Sequence, residues 1–412
     1  MEMGEIFGKA LGITAPWRVT EVNFDSAAKR LEIRLDFERG ATFLVEHDGV
    51  KDQYKAYDTV EKEWRHLNFF EHECYLKARV PRVKTPDNKV HLVMPDWSGL
   101  QNGFTLLFEA LMLQLAKGMP IHQVCQLVKI SDHKLWSILD KYTEQTRALN
   151  DYSQVTTLGM DETSIAKGHD YVSLFVDLKR KKTLFVAQGK DNTTVKAFAE
   201  DFVAHGGKIE QVSDVSCDMS PAFIKGVKEN LPEAKITFDK FHIVKVINEA
   251  VDEVRRMEAK TNPLLKGSRF IFLKNEENLT VTQREKKEEL KLSGLNEKLF
   301  RALSLRETFQ QIYSASSEEE FESLLSKWYF WATHSQLKPM QKAAKTIKHH
   351  WDGIIQWKRS QINNGILEGL NSVVQAAKRK ARGYKFKHFR TIVYLITGGL
   401  DFSKLNPACL PT

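Results

Sequence analysis

Three acidic residues that are distant in the sequence have the chemical type and the local setting of metal ligands. Asp161 and Asp218 each close an apolar, strand-like run, in GMDE and VSCD. Glu368 lies in NNGILEGLNSVVQAAKRKAR, whose periodicity predicts a helix. Hydrolysis of a phosphodiester by two divalent cations requires acidic oxygens that converge from rigid elements, so that the cations contact both the attacking and the leaving oxygen. Because functional groups in helix-covered sheets gather where strands end, these residues are candidate ligands.

The same three positions also have ordinary structural explanations. An Asp that follows a strand commonly caps a turn or a helix, and a Glu on a helix is commonly solvated. Asp214 has the same strand parity as Asp218, but we place it in the middle of its strand, where no cleft is expected. Glu162 and Asp177 are further carboxylates that we set aside. Local pattern alone leaves both explanations open.

The predicted helix of Glu368 places basic residues on the face that carries the carboxylate. At 100° per residue, Glu368, Gln375, Arg379 and Arg382 share one face. They extend over about 21 Å at 1.5 Å per residue, a span that a phosphate backbone can follow. The surrounding run KRKARGYKFKHFR mixes aromatic residues with Lys and Arg, which favours phosphate contact and stacking on bases or sugars. The candidate DNA contacts are Lys378, Arg379, Lys380 and Arg382. A solvated basic helix end is the alternative.

The segment IHQVCQLVKISDHKLWSILDKY has the pattern of a helix-turn-helix. We predict a turn at residues 129–131 and a second, recognition helix over residues 132–142, with Leu135, Ile138, Leu139 and Tyr142 in a buried stripe. The residues expected to be exposed towards DNA are His133, Lys134, Trp136, Ser137 and Lys141. A plain helical hairpin would show the same periodicity.

The elements that must position these residues indicate an α/β (α+β) fold. Alternation over residues 19–45 predicts a small β-meander, and a strongly apolar helix followed by two shorter ones is expected between residues 104 and 142. From residue 156, three hairpin-linked strands precede a helix at about 193–204, a further strand, and a helix opened by Ser220 and Pro221. Strand KITF and another helix follow. This order predicts a mixed sheet covered by helices.

Composition narrows the class of protein and its compartment. The chain has 412 residues, with 61 Lys plus Arg against 53 Asp plus Glu, so its formal charge of +8 is compatible with a polyanionic partner. The four cysteines lack paired spacing, which favours a reducing compartment over a disulfide framework. The sequence starts without a basic and apolar leader pattern, and no segment approaches the ~20 apolar residues of a membrane helix. We therefore expect a cytoplasmic protein.

Three blocks of the sequence resemble the ISL-three family of insertion-sequence transposases. They are LGMDETSIAKGHDYVSLFVDL, VSDVSCDMSPAFIKGV and NNGILEGLNSVVQAAKRKARGYKFKHFRTIVYLI. The resemblance implies an RNase H-like catalytic domain with Asp161, Asp218 and Glu368 as a DDE triad that binds Mg²⁺ or Mn²⁺. It also implies terminal inverted repeats and target DNA as substrates, a homo-oligomeric synaptic complex, and a nucleoid-associated bacterial protein.

The resemblance further implies a division into five segments. An N-terminal β domain is expected over residues 1–98 and a helix-turn-helix region over 99–150. The catalytic domain is expected to begin at 151–256, to be interrupted by an all-helical insertion at 257–345, and to resume at 346–412 with the glutamate helix and the basic region.

Two smaller motifs show one agreement with the family and one departure. Asp239 and His242 in FDKFH resemble the D-x-x-H that such transposases carry after the second aspartate, which makes them candidate supporting residues; a helix-capping Asp beside a core histidine is the alternative. The family's two upstream C-P-x-C-G knuckles, which bind structural zinc, are replaced by VEHDG and TPDNK. The four cysteine positions are occupied by Val45, Asp48, Thr85 and Asn88. Because zinc requires closely spaced thiolates or imidazoles, we expect no zinc.

We thus expect a transposase that hydrolyses a phosphodiester at the ends of its element and transfers the 3′-hydroxyl into target DNA. Two other functions remain open. One is a domesticated DNA-binding protein without catalysis, which the lost cysteines favour and the three retained carboxylates disfavour. The other is an RNase H-like nuclease that cleaves without joining.

Overall fold

The structure is a computed structural model that describes residues 3–101, 103–164, 171–274, 276–292, 297–362, 365–380 and 385–409. The chain divides into two compact units. The first unit comprises Met1–Asn150 and Ala377–Thr412, and the second comprises Asp151–Ala376. In the part of the chain that the structure describes, no helix combines the length and the apolar character needed to cross a bilayer.

The first unit contains a sheet in which β5 lies between β2 and β4. Its strands are β1 (Trp17–Asp25), β2 (Arg30–Phe37), β3 (Thr42–His47), β4 (Val50–Arg65), β5 (Glu73–Lys84) and β6 (Val90–Leu92). The order is β1-β2-β5-β4-β3, with β6 on β5 and with β2 parallel to β5. The predicted meander is therefore wrong beyond the β1-β2 hairpin. β5 carries its own alternating apolar face, so Leu31 and Ile33 are buried together with Leu76 and Trp64.

The two positions of the lost zinc knuckles are tight turns. Asp48 and Gly49 have φ values of 51° and 76° and join β3 to β4, and Asn88, with φ 63°, lies between β5 and β6. The turns approach each other: His47 Nε2 lies 3.3 Å from Asp48 Oδ2 and 3.6 Å from Asp87 Oδ1. Polar contacts thus link the two turns. The expectation that no zinc is bound stays a prediction.

In the Met1–Asn150 part of the first unit, one described helix precedes this sheet in the sequence and three follow it. They are α1 (Met3–Ala10), α2 (Leu106–Gly118), α3 (Ile121–Val128) and α4 (Asp132–Ala148). Lys129 ends α3 in the left-handed region, with φ 55°, and the Ser131 hydroxyl accepts a hydrogen bond from the Lys134 N–H at the start of α4. The turn lies where it was predicted. α4 is longer than expected, because Thr143 and Thr146 are also buried and extend its inward face.

The second unit is built on a five-stranded mixed sheet. Its strands are β7 (Thr157–Ser164), β8 (Tyr171–Asp177), β9 (Lys182–Gln188), β10 (Asp214–Cys217) and β11 (Lys235–Phe238). The order is β11-β10-β7-β8-β9, in which β7, β8 and β9 are antiparallel as predicted. β10 pairs in parallel with both β7 and β11. The predicted mixed sheet is thus found.

Helices cover this sheet and fill the rest of the second unit. They are α5 (Asn192–Ala204), α6 (Pro221–Asn230), α7 (Lys240–Glu258), α8 (Arg269–Leu273), α9 (Val281–Leu292), α10 (Glu297–Ile312), α11 (Glu318–His334), α12 (Lys338–His349), α13 (Trp351–Ser360) and α14 (Gly365–Lys380). α15 (Phe386–Thr397) belongs to the first unit. Short 3₁₀ turns occur at Ile209–Gln211, Pro263–Leu265, Glu276–Asn278 and Phe402–Lys404. The core stacks Phe175 of the sheet on Phe198 of α5, with ring centroids 4.5 Å apart.

Candidate active site and DNA-contacting residues

The strand register brings three aspartates to one level of the sheet. In the parallel ladders, Asp214, Val215 and Ser216 of β10 pair with the β7 residues 57 positions earlier, and all of β10 pairs with the β11 residues 21 positions later. Asp218 is likewise 57 positions after Asp161 and 21 positions before Asp239. All three lie just beyond the last paired residues of β10, at the carboxyl end of the parallel strands. Ligands bind at this edge in open α/β sheets.

Two of the predicted strand boundaries were wrong. Asp161 does not end its strand, because the hairpin partner β8 extends β7 to Ser164 and pairs Asp161 with Leu174. Asp214 does not lie in the middle of its strand, because β10 starts at Asp214, whose carboxylate accepts a hydrogen bond of 3.2 Å from Gln356 Nε2. The pairing of β7 with β10 ends at Gly159, before Asp161, whereas its pairing with β8 continues to Ser164. Asp161 therefore still lies at the edge where β10 leaves the sheet.

Asp161 is a partly buried carboxylate held from two sides. Its Oδ1 accepts a hydrogen bond of 2.8 Å from the N–H of Glu162, and its Oδ2 accepts one from Asn371 Nδ2. Burial is the main cause that raises the pKa of Asp161, to about 6, and the negative charges of Asp218 and Asp239 raise it further. The positive charge of His242 acts in the opposite direction. The charges of Asp218, Asp239 and His242 therefore act on the ionisation of Asp161.

The raised pKa of Asp161 predicts a pH-dependent loss of stability when divalent cations are absent. The pKa of Asp161 is higher in the folded state than in the unfolded state. The contribution of Asp161 to the free energy of unfolding is therefore fully present below about pH 4 and is lost as the pH rises through about 6. We expect Asp161→Asn to raise the free energy of unfolding in EDTA by up to about 3 kcal/mol at pH 8 and by almost nothing at pH 4. Chemical denaturation at both pH values measures this, with the exposed Asp352→Asn as control. An equal gain at the two pH values would contradict the assignment.

Asp218 is fixed by the start of the next helix. Its Oδ1 accepts a hydrogen bond of 2.9 Å from the N–H of Ser220, and Pro221 opens α6 at its first position. The predicted helix start is confirmed, although the Ser220 side chain makes no capping hydrogen bond. The carboxylate of Asp218 is therefore aimed by a tight turn between a buried strand and a helix.

Asp239 and His242 form a pair at the start of α7. Asp239 is the N-cap: its Oδ1 accepts a hydrogen bond of 2.8 Å from the Phe241 N–H, and its Oδ2 lies 3.1 Å from His242 Nδ1. This hydrogen bond raises the pKa of His242, and the charges of Asp239, Asp161 and Asp218 act in the same direction against burial. The histidine side chain is 36% exposed, so it is not a core histidine. The capping role of Asp239 and a role at the site are compatible.

Sequence reasoning set aside one carboxylate that belongs to this neighbourhood. Burial raises the pKa of Glu162, and the charge of Asp218 is the next cause, partly offset by Lys190. Glu162 thus lies within electrostatic range of the aspartates. The adjacent aspartate made it look redundant in sequence, and no spacing rule could have selected it. Asp177, by contrast, caps a turn and accepts hydrogen bonds of 2.9 and 3.1 Å from the N–H groups of Lys179 and Arg180.

Glu368 lies in the first turn of α14, which packs directly on β7 and β8. Leu367 is buried with Val176 and Leu178. A Cβ atom on Gly159 would lie only 2.9 Å from the Leu367 side chain, so the helix approaches the sheet where β7 has no side chain. Glu368 itself is exposed, one helical turn before Asn371, which contacts Asp161.

The described residues do not contain a complete metal-binding group. Within residues 3–409, apart from the segments that the structure leaves undescribed, no three His, Cys, Asp or Glu side chains are grouped so that they could hold a metal ion. The structure brings Asp161, Asp218, Asp239 and His242 into mutual electrostatic range. The inclusion of Glu368 in a triad stays a prediction.

The candidate DNA contacts in the helix-turn-helix region fall into two classes. His133 and Lys134 are exposed at the start of α4. Ser137 accepts a hydrogen bond from Gln101 Nε2, and Lys141 donates one to the carbonyl of Leu100. DNA contact by these four residues stays a prediction.

The expectation that Trp136 is exposed was wrong. Its side chain is only 7% exposed and stacks on His388 of α15, with ring centroids 3.9 Å apart and planes within 4° of parallel. The sequence pattern could not show this, because the covering helix comes some 250 residues later in the chain. Of the basic C-terminal candidates, Lys378 is half-buried, Arg379 and Lys380 lie in the last turn of α14, and Arg382 falls outside the described residues.

Two protein-family models match this chain. A transposase model of the DDE class, ISL3 family, matches residues 158–393, more than half of the chain, and a model for the helix-turn-helix domain of transposase family ISL3 matches residues 96–143. The chain belongs to the ISL3 transposase family. The resemblance inferred from the three sequence blocks is thereby confirmed, and both the sheet that carries the aspartates and the α3-turn-α4 region fall within the matched residues.

Transposases of two insertion sequences are similar to this chain over most of their length. The transposase for insertion sequence element IS1557 of Mycobacterium tuberculosis is 26% identical over 353 residues, which cover 79% of this chain and 78% of the relative. The transposase for insertion sequence element IS1001 of Bordetella parapertussis is 26% identical over 358 residues, which cover 84% of this chain and 86% of the relative. The similarity thus extends well beyond the family-model match at residues 158–393.

Proposed function

We propose that this protein is an active insertion-sequence transposase that hydrolyses a phosphodiester at each end of its element and transfers the freed 3′-hydroxyl into target DNA. The observation that carries the proposal is the parallel register of β10 with β7, which, continued past its last pair of Ser216 with Gly159, puts Asp218 at the level of Asp161. Such a register brings two carboxylates to one edge of a rigid sheet, as metal-assisted phosphoryl transfer requires.

We assign an RNase H-like architecture to the catalytic domain. Three antiparallel strands followed by two parallel strands, in the order β11-β10-β7-β8-β9, with helices between the later strands, support this assignment. The helices from α8 to α12 then constitute the insertion between the second aspartate and the glutamate helix.

The residues present suit divalent cations such as Mg²⁺ or Mn²⁺. These cations prefer oxygen ligands, and Asp161, Asp218 and Glu368 would supply carboxylates. Asp161 is partly buried beside like charges that disfavour its ionised form, and a bound cation would remove that penalty. When bound, the cations activate water and neutralise charge on the phosphate. The protein's own contribution is to fix the carboxylates.

Asp239 and His242 have a supporting role in this proposal. The hydrogen bond that His242 Nδ1 donates to Asp239 Oδ2 fixes the imidazole ring and favours its protonated form. In its protonated form, the partly exposed His242 can contact a phosphate oxygen of the bound DNA and orient the strand. It does not need to act as an acid or a base.

We propose that double-stranded DNA is bound by the helix-turn-helix region and the basic C-terminal region, and that the terminal inverted repeats are brought together by a homo-oligomer. His133 and Lys134, exposed at the start of α4, would contact the DNA, as recognition helices read base edges with their N-terminal residues. Ser137 and Lys141 would support this helix against residues 100–101 or contact DNA further along.

Neutralising the C-terminal cations should flatten the salt dependence of DNA binding. We expect Lys378→Gln, Arg379→Gln, Lys380→Gln and Arg382→Gln together to reduce the slope of log affinity against log salt by up to about 4, since each phosphate contact contributes about 0.9. Fluorescence anisotropy with an end-bearing duplex at several salt concentrations measures the slope. The control replaces exposed cations elsewhere, Lys225 and Lys228. An unchanged slope would remove this region from the DNA interface.

The function is tested by a joining assay on a duplex that carries the element's ends, with Mg²⁺ and a target plasmid. A transposase nicks the ends and produces covalently joined products. An RNase H-like nuclease cleaves without joined products, and a domesticated DNA-binding protein binds the ends without cleaving them. Either of the last two results contradicts the proposal.

A further inference from the structure

Asn371 is the residue of α14 that touches the candidate metal site directly. It lies three residues after Glu368, on the same face of the helix, and its Nδ2 donates a hydrogen bond to Asp161 Oδ2. One turn later, Gln375 Nε2 donates to the hydroxyl of Thr163, which is two residues after Asp161 on the same face of β7. Two amides thus follow one strand face, the first donating to the Asp161 carboxylate and the second to the Thr163 hydroxyl.

The other end of the Asn371 amide has no partner. Among the residues that the structure describes, Asn371 Oδ1 is a buried oxygen to which no donor is directed. A buried acceptor without a partner is destabilising, and such atoms in native proteins call for an explanation such as a bound ion. The same amide therefore combines a contact to the first aspartate with an unused oxygen.

A half-turn of the amide exchanges its nitrogen and oxygen at almost no change in shape. In that orientation Oδ1 faces Asp161 Oδ2. Two oxygens tolerate such proximity only when a proton or a cation lies between them. Divalent cations accept neutral amide oxygens together with carboxylates, so the pair suits Mg²⁺ or Mn²⁺.

We propose that Asn371 is a metal-binding residue of this transposase, which supplies its amide oxygen to the cation held by Asp161. The proposal rests on the proposed two-metal function. It also gives α14 a second role: the helix that carries Glu368 is anchored at the cation through Asn371, and the carboxylate one turn earlier is brought to the same edge.

Binding of Mn²⁺ alone, without DNA, tests the proposal on the full-length protein. Isothermal titration with MnCl₂ at pH 8 is compared for the wild type, Asn371→Ala, Asn371→Asp and the matched control Gln375→Ala. Gln375→Ala removes the neighbouring α14-β7 hydrogen bond and leaves Asp161 untouched. Thermal unfolding in EDTA reports whether each variant is folded.

We expect Asn371→Ala to weaken Mn²⁺ binding by about tenfold or more, with Gln375→Ala within about twofold of the wild type. Asn371→Asp is decisive. It keeps an oxygen for the cation and removes the amide donor, so it should bind Mn²⁺ within about threefold of the wild type. If the amide served only to orient Asp161 by donation, Asn371→Asp would place a carboxylate against a carboxylate and lose binding.

Three results would overturn the inference and leave the proposed function standing, provided that Asp161→Asn and Asp218→Asn abolish Mn²⁺ binding. They are wild-type affinity in Asn371→Ala, equal losses in Asn371→Ala and Gln375→Ala, and lost binding in Asn371→Asp. If the wild type binds no Mn²⁺, or if the two aspartate variants bind it normally, the two-metal function fails and the inference fails with it.

Discussion

Asp161→Asn and Asp218→Asn should each reduce cleavage at the element's ends by about a thousandfold or more, while binding to those ends stays within about threefold of the wild type. Each substitution replaces a carboxylate by a neutral amide of the same shape. It therefore removes one of the two negative charges that Asp161 and Asp218 would offer to the cations. The DNA-contacting candidates lie elsewhere in the chain, so affinity for the ends is not expected to depend on these two residues.

The measurement compares nicking of an end-bearing duplex with its binding, by gel assays in Mg²⁺. Asp214→Asn is the matched control, because Asp214 starts the strand that Asp218 follows and so lies at the opposite end of that strand, where it accepts a hydrogen bond from Gln356. That variant should retain cleavage. If Asp161→Asn or Asp218→Asn retained substantial activity, the residue concerned would not belong to the triad.

Glu368→Gln should abolish cleavage to the same extent, although Glu368 is exposed and is not among the charges that shift the pKa of Asp161. The physical reason is its place in α14. The buried Leu367 holds the helix on the sheet at Gly159, and Asn371 links it to Asp161 one turn after the glutamate. A cation shared with Asp161 would attract this carboxylate to the same edge.

Because the Glu368 side chain is exposed, its replacement should leave thermal stability in EDTA unchanged, which separates a catalytic loss from misfolding. Glu319→Gln, on an exposed position of α11, serves as the control substitution. Cleavage assays in Mg²⁺ and in Mn²⁺ then give the result. Near-normal cleavage by Glu368→Gln in both would require another residue as third ligand, and Glu162, which lies within electrostatic range of Asp218, would be the first to test.

Local sequence determined much of the second unit. The alternation of apolar residues gave the three antiparallel strands, and Ser220 with Pro221 marked the start of α6. Such features depend on residues that are close in the chain, so the sequence pattern contains them. The three blocks that resemble the ISL-three family also identified the family. Each block is a continuous stretch of sequence, so it can be recognised without knowledge of the fold.

Tertiary structure alone decided which distant residues meet. The strand register places Asp161, Asp218 and Asp239 at one level, β5 enters between β2 and β4, and α15 covers Trp136. The contact of Asn371 with Asp161 joins residues 210 positions apart. A periodic pattern shows which face of an element is buried, but not which other element covers it. That choice depends on packing and hydrogen bonding summed over the whole fold, and for this reason Trp136 was predicted to be exposed and Asn371 was not recognised.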